Sequence, residues 1–167
     1  KEFVTINQQG RKFNPKLLKS KGNLYVKGYW QSEKYFNNIR SFLLKDFDIK
    51  GKKKAVISRI LKKIKKSNSV CLHVRRGDYV TDKTVRSVHG LCSVDYYKKA
   101  INKISSKVKN PVFFVFSDDP LWAEENIKSK YPMHYAGLDE RNTEEEDMLL
   151  MQNCKHVIIA NSSFSWW

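Results

Sequence analysis

Ser69-Val70-Cys71-Leu72-His73-Val74-Arg75-Arg76-Gly77-Asp78-Tyr79 joins an apolar run to a charged turn. Its first half, Val70 to Val74, is a short apolar run rich in β-branched residues, the pattern of a buried strand. Two arginines, a glycine and a carboxylate follow at once. Burying two guanidinium groups beside a core strand is costly unless an anion meets them. The planar fork of arginine suits phosphate oxygens, whereas lysine acts as a point charge. The chain holds 25 Lys against 7 Arg, so an adjacent Arg pair does not follow from composition. The competing reading is a structural ion pair with Asp78. On a regular strand successive side chains point to opposite faces, so both arginines reach one ligand only if the strand has already ended.

The same architecture recurs twice. Pro111-Val112-Phe113-Phe114-Val115-Phe116 empties into Ser117-Asp118-Asp119-Pro120, and His156-Val157-Ile158-Ile159-Ala160 empties into Asn161-Ser162-Ser163-Phe164. Segments of helical period lie between them. Alternation of this kind predicts an α/β fold whose parallel strands collect their polar ends along one edge, where such sheets bind nucleotides. Arginine pair, acidic pair and Ser-rich turn then face one crevice.

These residues resemble a known family. His73-Val74-Arg75-Arg76-Gly77-Asp78-Tyr79, with Asn161-Ser162-Ser163-Phe164-Ser165-Trp166-Trp167 and Gly28-Tyr29-Trp30-Gln31-Ser32-Glu33-Lys34-Tyr35-Phe36, is similar to the bacterial α-1,2-fucosyltransferases of glycosyltransferase family 11. The similarity runs over nearly the whole chain. It implies a GT-B-type enzyme: residues 1–67 as the C-terminal part of an acceptor-side domain, residues 68–167 as a Rossmann-like parallel-sheet domain binding GDP-fucose. It further implies inverting transfer of L-fucose to the 2-hydroxyl of a terminal galactose in a glycan such as O-antigen. The alternatives are a fucosyltransferase of another linkage (α-1,6 or protein O-fucosylation) and, from a different class, a basic nucleic-acid-binding module. No recognised nucleic-acid motif holds the lysines. The chain lacks an initiating Met and stops at Trp167, with no helix after Ser165, so an internal fragment of a longer enzyme is expected.

The chemistry of the motifs can be argued residue by residue. A nucleotide-sugar transferase must stabilise a leaving diphosphate, either with a divalent metal on an Asp-x-Asp or with arginine and backbone N–H groups. Asp118-Asp119 is not an Asp-x-Asp. Metal-independent chemistry without a cofactor is therefore expected, with Arg76 on the pyrophosphate and Arg75 sharing that task or packing inward. Asn161, Ser162 and Ser163 offer hydroxyl and N–H groups for phosphate oxygens at a strand-to-helix turn; the competing reading is a helix cap. Either of Asp118 and Asp119 can accept from the paired donors of guanine, and the other reading of Asp119-Pro120 is again a cap. The family resemblance adds His73 to the base-reading set. Asp78 is the carboxylate nearest the expected reacting centre and the candidate catalytic base. Beside two guanidiniums it is a weak base but a sound charge stabiliser. Asp147 matches an acidic helix position in related enzymes. Trp30, Gln31 and Tyr35 are candidates for the acceptor wall, because flat aromatic faces stack on sugars, although aromatics also fill cores.

The formal net charge of +15 attracts anionic partners. Its densest cluster is Lys52-Lys53-Lys54 with Lys62, Lys63, Lys65 and Lys66, largely off the stripe of Ile57, Ile60, Leu61 and Ile64. That pattern describes a core-facing helix with a solvated basic face, or one with weak peripheral attraction to an anionic membrane. Cys71, Cys92 and Cys154 are too few for a disulfide framework and are expected as free thiols. Four scattered histidines without a CxxC point away from a zinc site. No apolar run is long enough to span a membrane as a helix, and no signal peptide is present in this stretch. Cytoplasmic residence, peripheral at the inner face of the bacterial membrane, is therefore expected.

Further elements follow from period and punctuation. Phe3-Val4 and Leu24-Tyr25-Val26 predict strands, with turns at Asn14-Pro15 and Lys21-Gly22-Asn23. Ser32 is a candidate cap for a helix carrying Phe36, Ile39, Leu43 and Phe47 and ending near Gly51. Helices are expected at 53–66 and along Val94, Tyr97, Ile101 and Ile104. Tyr79 to Gly90 predicts a polar loop that could cover a site. Pro120 should open a helix ended by Tyr131-Pro132, Met133 to Ala136 form a strand, and Thr143-Glu144-Glu145-Glu146 a capping box.

Overall fold

The computed structural model describes residues 3–8, 10, 12–47, 53–138 and 142–167. The chain divides into two units, Lys1–Asp48 with Trp166–Trp167, and Ile49–Ser165. The predicted helix end at Gly51 and the cluster member Lys52 lie outside the described residues.

In the first unit Val4–Asn7 (β1) and Leu24–Lys27 (β2) pair in parallel, joined through a 3-10 turn at Leu17–Lys19. Asn14 Oδ1 accepts from the Lys16 N–H at 3.0 Å, which turns the chain at Asn14-Pro15. The helix expected from Glu33 is shorter than its period suggests. Two 3-10 turns, Glu33–Tyr35 and Asn37–Ile39, precede Arg40–Asp46 (α1), and Ser32 makes no side-chain cap. Ile39 and Phe47 stay exposed, and α1 buries no residue. An apolar stripe stabilises a helix only when something covers it.

The second unit is built on one four-stranded sheet in the order β5-β4-β3-β6, every pair parallel. Ala55–Lys66 (α2) precedes Asn68–Val74 (β3). Gly77–Thr81 (α3), Lys83–His89 (α4) and Val94–Ser105 (α5) lead to Pro111–Ser117 (β4). Pro120–Asn126 (α6), Met133–Tyr135 (β5), Glu144–Gln152 (α7), His156–Ile158 (β6) and Ser163–Trp166 (α8) complete the order.

Period-two alternation decides the packing. Val70, Leu72 and Val74 of β3 with Phe113 and Val115 of β4 face α5 and α6, meeting Tyr97, Ile101, Ala123 and Ile127. Cys71 with Phe114 and Phe116 faces the other way, onto Ile57 and Ile64 of α2 and Leu149 and Leu150 of α7. Two covered faces explain why β3 and β4 are nearly continuous apolar runs. The layered, parallel α/β architecture is Rossmann-like, as expected. Helix α2, grouped with residues 1–67 on sequence, has its apolar stripe in this unit's core. The capping box forms as predicted, Thr143 and Glu146 bonding each other's backbone N–H.

Two elements differ from expectation. The polar stretch from Tyr79 to Gly90 is not a loop, since it holds α3 and α4. Asp82 caps α4 by accepting from the N–H groups of Thr84 at 2.7 Å and Val85 at 3.2 Å, the role that favours Asp at helix starts. Helix α6 stops at Asn126 rather than at Tyr131-Pro132. Ile127 leaves helical geometry (φ −104°, ψ 104°) with its side chain 1% exposed. Asn126 Nδ2 donates back to the Trp122 carbonyl at 2.9 Å, a local bond that competes with the helix. Burial of Ile127 outweighs continuation of the helix.

Candidate active site

Parallel pairing places the carboxyl ends of β3 and β4 side by side, with Val74 opposite Ser117. Strand β3 ends at Val74, so Arg75 and Arg76 are released from alternation. The Arg76 N–H donates to Asp118 Oδ1 at 2.8 Å, stitching the two strand ends together. Arg75 spans two acids: Nη2 meets Asp78 Oδ1 at 2.8 Å and Nη1 meets Asp118 Oδ2 at 3.1 Å. Arg76 uses Nε on Asp119 Oδ2 at 3.2 Å, and its guanidinium lies 3.6 Å above the Trp122 ring. Among the described residues its η nitrogens have no carboxylate partner.

The three acids are not equivalent. Asp119 has one partner on each oxygen: Oδ1 accepts from the Trp122 N–H at 3.3 Å as the cap of α6, and Oδ2 holds Arg76, which leaves lone pairs on a side chain 40% exposed. The cap reading of Asp119-Pro120 is therefore realised. Asp118 Oδ2 is buried and touches Arg75 as a charge without hydrogen-bond alignment, leaving acceptor capacity. Asp78 is about half exposed, so its pairing with Arg75 is weak. Two guanidiniums against three carboxylates leave the five groups with a formal charge of −1.

His73 lies 5% exposed near the end of β3, its ring 5.6 Å from that of Phe164. Its Nδ1 has no hydrogen-bond partner among the described residues. Burial, and secondarily the Arg75 charge, lower its pKa from 6.5 to about 4, so the imidazole is neutral at neutral pH. An orphaned buried nitrogen at a strand end is costly unless a ligand's polar group meets it.

Gly77 owes its place to close approach. A Cβ there would sit 2.5 Å from Asp118 Oδ2 and 3.3 Å from its Cγ, and Asp118 is held by Arg75 and Arg76. Helix propensity alone favours alanine over glycine by ~1 kcal/mol, whereas forced overpacking costs ~1–3 kcal/mol. Gly77→Ala is expected to lower stability by urea denaturation; a gain would mean that Asp118 swings freely.

In the turn after β6 the Asn161 side chain is engaged by the protein itself. Asn161 Nδ2 donates to the carbonyls of His89 and Gly90, and its Oδ1 accepts from Cys92 Sγ at 3.4 Å. The Tyr79 hydroxyl donates to the Asn161 carbonyl at 3.3 Å, and the Tyr79 ring stacks on His89 at 5.1 Å. The Asn161 amide thus clasps α3 and α4. Ser162 Oγ accepts from the Phe164 N–H at 3.3 Å, and Ser163 opens the short α8. Sequence reasoning missed Cys92 and the Trp122 stacking face; the three-residue offset of Trp122 from Asp119 was the available signal for the latter. Cys71, Cys92 and Cys154 are free, and burial pushes the Cys154 thiol up to about 12. Asp147 accepts from Asn142 Nδ2 at 2.7 Å.

Trp30, Gln31 and Tyr35 belong to the first unit. Trp30 (φ 51°) has its N–H bound to Gln8 Oε1 at 3.0 Å and meets Tyr35 edge-on at 5.5 Å. Tyr35 also packs on Phe13 at 4.8 Å, and Gln31 is half-buried.

Residues 5–167 match the family described as Glycosyl transferase family 11. The chain belongs to that family. This family 11 chain is 38% identical to an alpha-1,2-colitosyltransferase of Escherichia coli over 96% of its own length and 54% of the relative's. It is 34% identical to the O-antigen biosynthesis glycosyltransferase WbnK of the same species, over 90% of the chain and 51% of WbnK. It is 28% identical to galactoside alpha-(1,2)-fucosyltransferase 2 of Mus musculus, over 84% of the chain and 42% of that protein. The family 11 chain spans about half the length of the curated relatives it matches. No solved structure matches it. None of its described helices is long and apolar enough to cross a membrane.

Proposed function

We propose that the strand-end cluster binds the GDP moiety of a nucleotide-sugar donor, and that the protein transfers L-fucose with inversion to the 2-hydroxyl of a terminal galactose. The observation that carries this reading is the buried His73 Nδ1, without a hydrogen-bond partner among the described residues, beside the tandem arginines and the buried Asp118 Oδ2, whose contact is the Arg75 charge. Guanine presents polar groups of both kinds on its edge. Both acids keep lone pairs beyond their present contacts, so either Asp118 or Asp119 reads the base together with His73.

The diphosphate takes the η nitrogens of Arg76 and displaces Asp78 from Arg75. Both partners of that pair are partly exposed, Arg75 at 34% and Asp78 at 48%. The exchange is therefore cheap, because exposed pairs contribute about 0–1 kcal/mol. Asp119 stays on Arg76 Nε and keeps the fork oriented. Release of Asp78 leaves a carboxylate free to take the acceptor proton or to stabilise positive charge at the sugar. Guanidiniums supply the leaving-group stabilisation that a metal supplies elsewhere, so the reaction is metal-independent. Ser162 and Ser163 add hydroxyls to the phosphate side. A second reading, colitose as the sugar transferred, is favoured by the 38% identity to a colitosyltransferase; the α-1,2 linkage is common to both.

Saturating GDP is expected to raise the thermal midpoint, since a ligand at 100 times its Kd adds about 2.7 kcal/mol of stability. ADP at the same concentration should raise it less, because the base edge differs. Equal shifts would remove the guanine assignment, and no shift with either would remove the donor site. Turnover of donors carrying fucose and colitose then separates the two sugars.

A further inference from the structure

The cationic face of α2 takes no part in the cluster described above. Its apolar stripe, Ile57, Ile60, Leu61 and Ile64, is spent on the core, with Ile57 and Ile64 fully buried. Arg59, Lys62, Lys63 and Lys66 repeat the same spacing two residues on, which places them on the opposite side of the helix. All four are exposed. None of them, nor exposed Lys65, is paired with a carboxylate among the described residues. The acids of the neighbouring helix stand at the other end: Lys54, before the first turn of α2, holds Glu146 in the first turn of α7 at 3.1 Å. The helix dipole favours the cations of the last turn, Lys63, Lys65 and Lys66. It does not account for Arg59 and Lys62, and like charges three and four residues apart repel.

We infer that this stripe is a docking surface for an anionic lipid bilayer. A row of cations about 10 Å long on a straight helix matches a plane of headgroups, and a cluster of this size on an amphipathic helix draws the chain to an anionic surface. Because the apolar stripe is buried in the core, attachment is electrostatic and peripheral, without insertion. Nucleic acid fits less well. No exposed aromatic or amide side chain is interleaved with the cations to meet bases, and lysine's flexible point charge suits a fluid array better than a fixed phosphate.

The test is co-sedimentation of the whole chain, without donor, with vesicles of equimolar phosphatidylcholine and phosphatidylglycerol, and with phosphatidylcholine alone. Binding to the mixed vesicles is expected, with loss on raising salt. Each cation removed should weaken partitioning roughly fivefold, so the variant Arg59→Gln, Lys62→Gln, Lys63→Gln, Lys66→Gln should lose on the order of 10²–10³-fold. Its thermal midpoint should equal or exceed that of the parent, because repulsion has been relieved. A charge-matched variant across the sheet, Lys98→Gln, Lys103→Gln, Lys107→Gln, Lys128→Gln, should retain most of the binding. Equal loss in both variants, binding to the neutral vesicles, or salt-insensitive binding by the parent overturns the inference. So does a random-sequence RNA that binds through the stripe more tightly than the vesicles do. None of these outcomes depends on whether the strand-end cluster holds GDP.

Discussion

Replacing Arg76 with alanine should lower kcat/KM for the nucleotide-sugar donor about 10²–10³-fold, the loss typical of removing one preorganised stabiliser of developing negative charge. The argument is geometric. Stacking on Trp122 at 3.6 Å and the Nε contact to Asp119 at 3.2 Å fix the plane of the guanidinium while its η nitrogens stay available. A fork held in this way loses little freedom when it takes up the diphosphate, so its contribution goes into the reaction rather than into ordering. Stability should change less, because the variant loses one cation–π contact and one partly exposed ion pair, together ~1–2 kcal/mol. Arg76→Lys should recover only a small part of the rate, since an ammonium cannot keep both the stack and the fork. Steady-state rates with GDP-fucose, read beside a thermal melt, make the comparison. Unchanged turnover in Arg76→Ala would remove the residue from the mechanism.

The second large effect is on stability and comes from His73. Its folded pKa is about 4 and its ordinary value 6.5, so the unfolded chain binds a proton at a higher pH than the native one does. Above pH 6.5 both states are neutral at this site and nothing is lost. As pH falls from 6.5 towards 4 the unfolded state is progressively favoured, and below about 4 the loss is complete. The difference corresponds to ~3 kcal/mol. Urea denaturation at pH 7 and pH 4 should show this loss in the parent, and His73→Gln should lack that part of the slope. An unaltered slope in the variant would mean that His73 takes up its proton in the folded state as readily as in the unfolded one. At neutral pH the ring offers one donor and one acceptor rather than a charge, which suits reading a base edge and would not suit holding a phosphate.

The sheet was legible because two-faced burial writes itself as continuous apolar runs, and β3 and β4 both carry that signature. The capping box at Thr143 and the Pro120 helix start were legible for an equally local reason: cap chemistry acts within a few residues. The helix expected beyond Glu33 failed for the opposite reason. Its period is present, but a stripe needs a partner surface, and the first unit offers no buried residue to pack it on among those described. The region from Tyr79 to Gly90 looked like a loop because its polar composition hides Asp82, a cap that only its N–H partners reveal. Within the site, the identities of the charged residues could be read, but their division of labour could not. That Asp119 caps α6 and orients Arg76, whereas Asp118 takes the Arg76 N–H and the Arg75 charge, depends on contacts across some 42 residues of chain. Asn161 shows the same limit, since its amide is used by carbonyls 71 and 72 positions earlier.

That last clasp has a consequence for how the chain is made. Strands β3 and β4 can pair as soon as Ser117 has left the ribosome, so the middle of the sheet is available early in synthesis. Helices α3 and α4, which follow the arginines, gain their link to the end of β6 only when Asn161 emerges, because Tyr79, His89, Gly90 and Cys92 all bond that one residue. A nascent chain halted before Asn161 would therefore carry every charged group of the strand-end cluster and still lack the clasp that joins α3 and α4 to the end of β6.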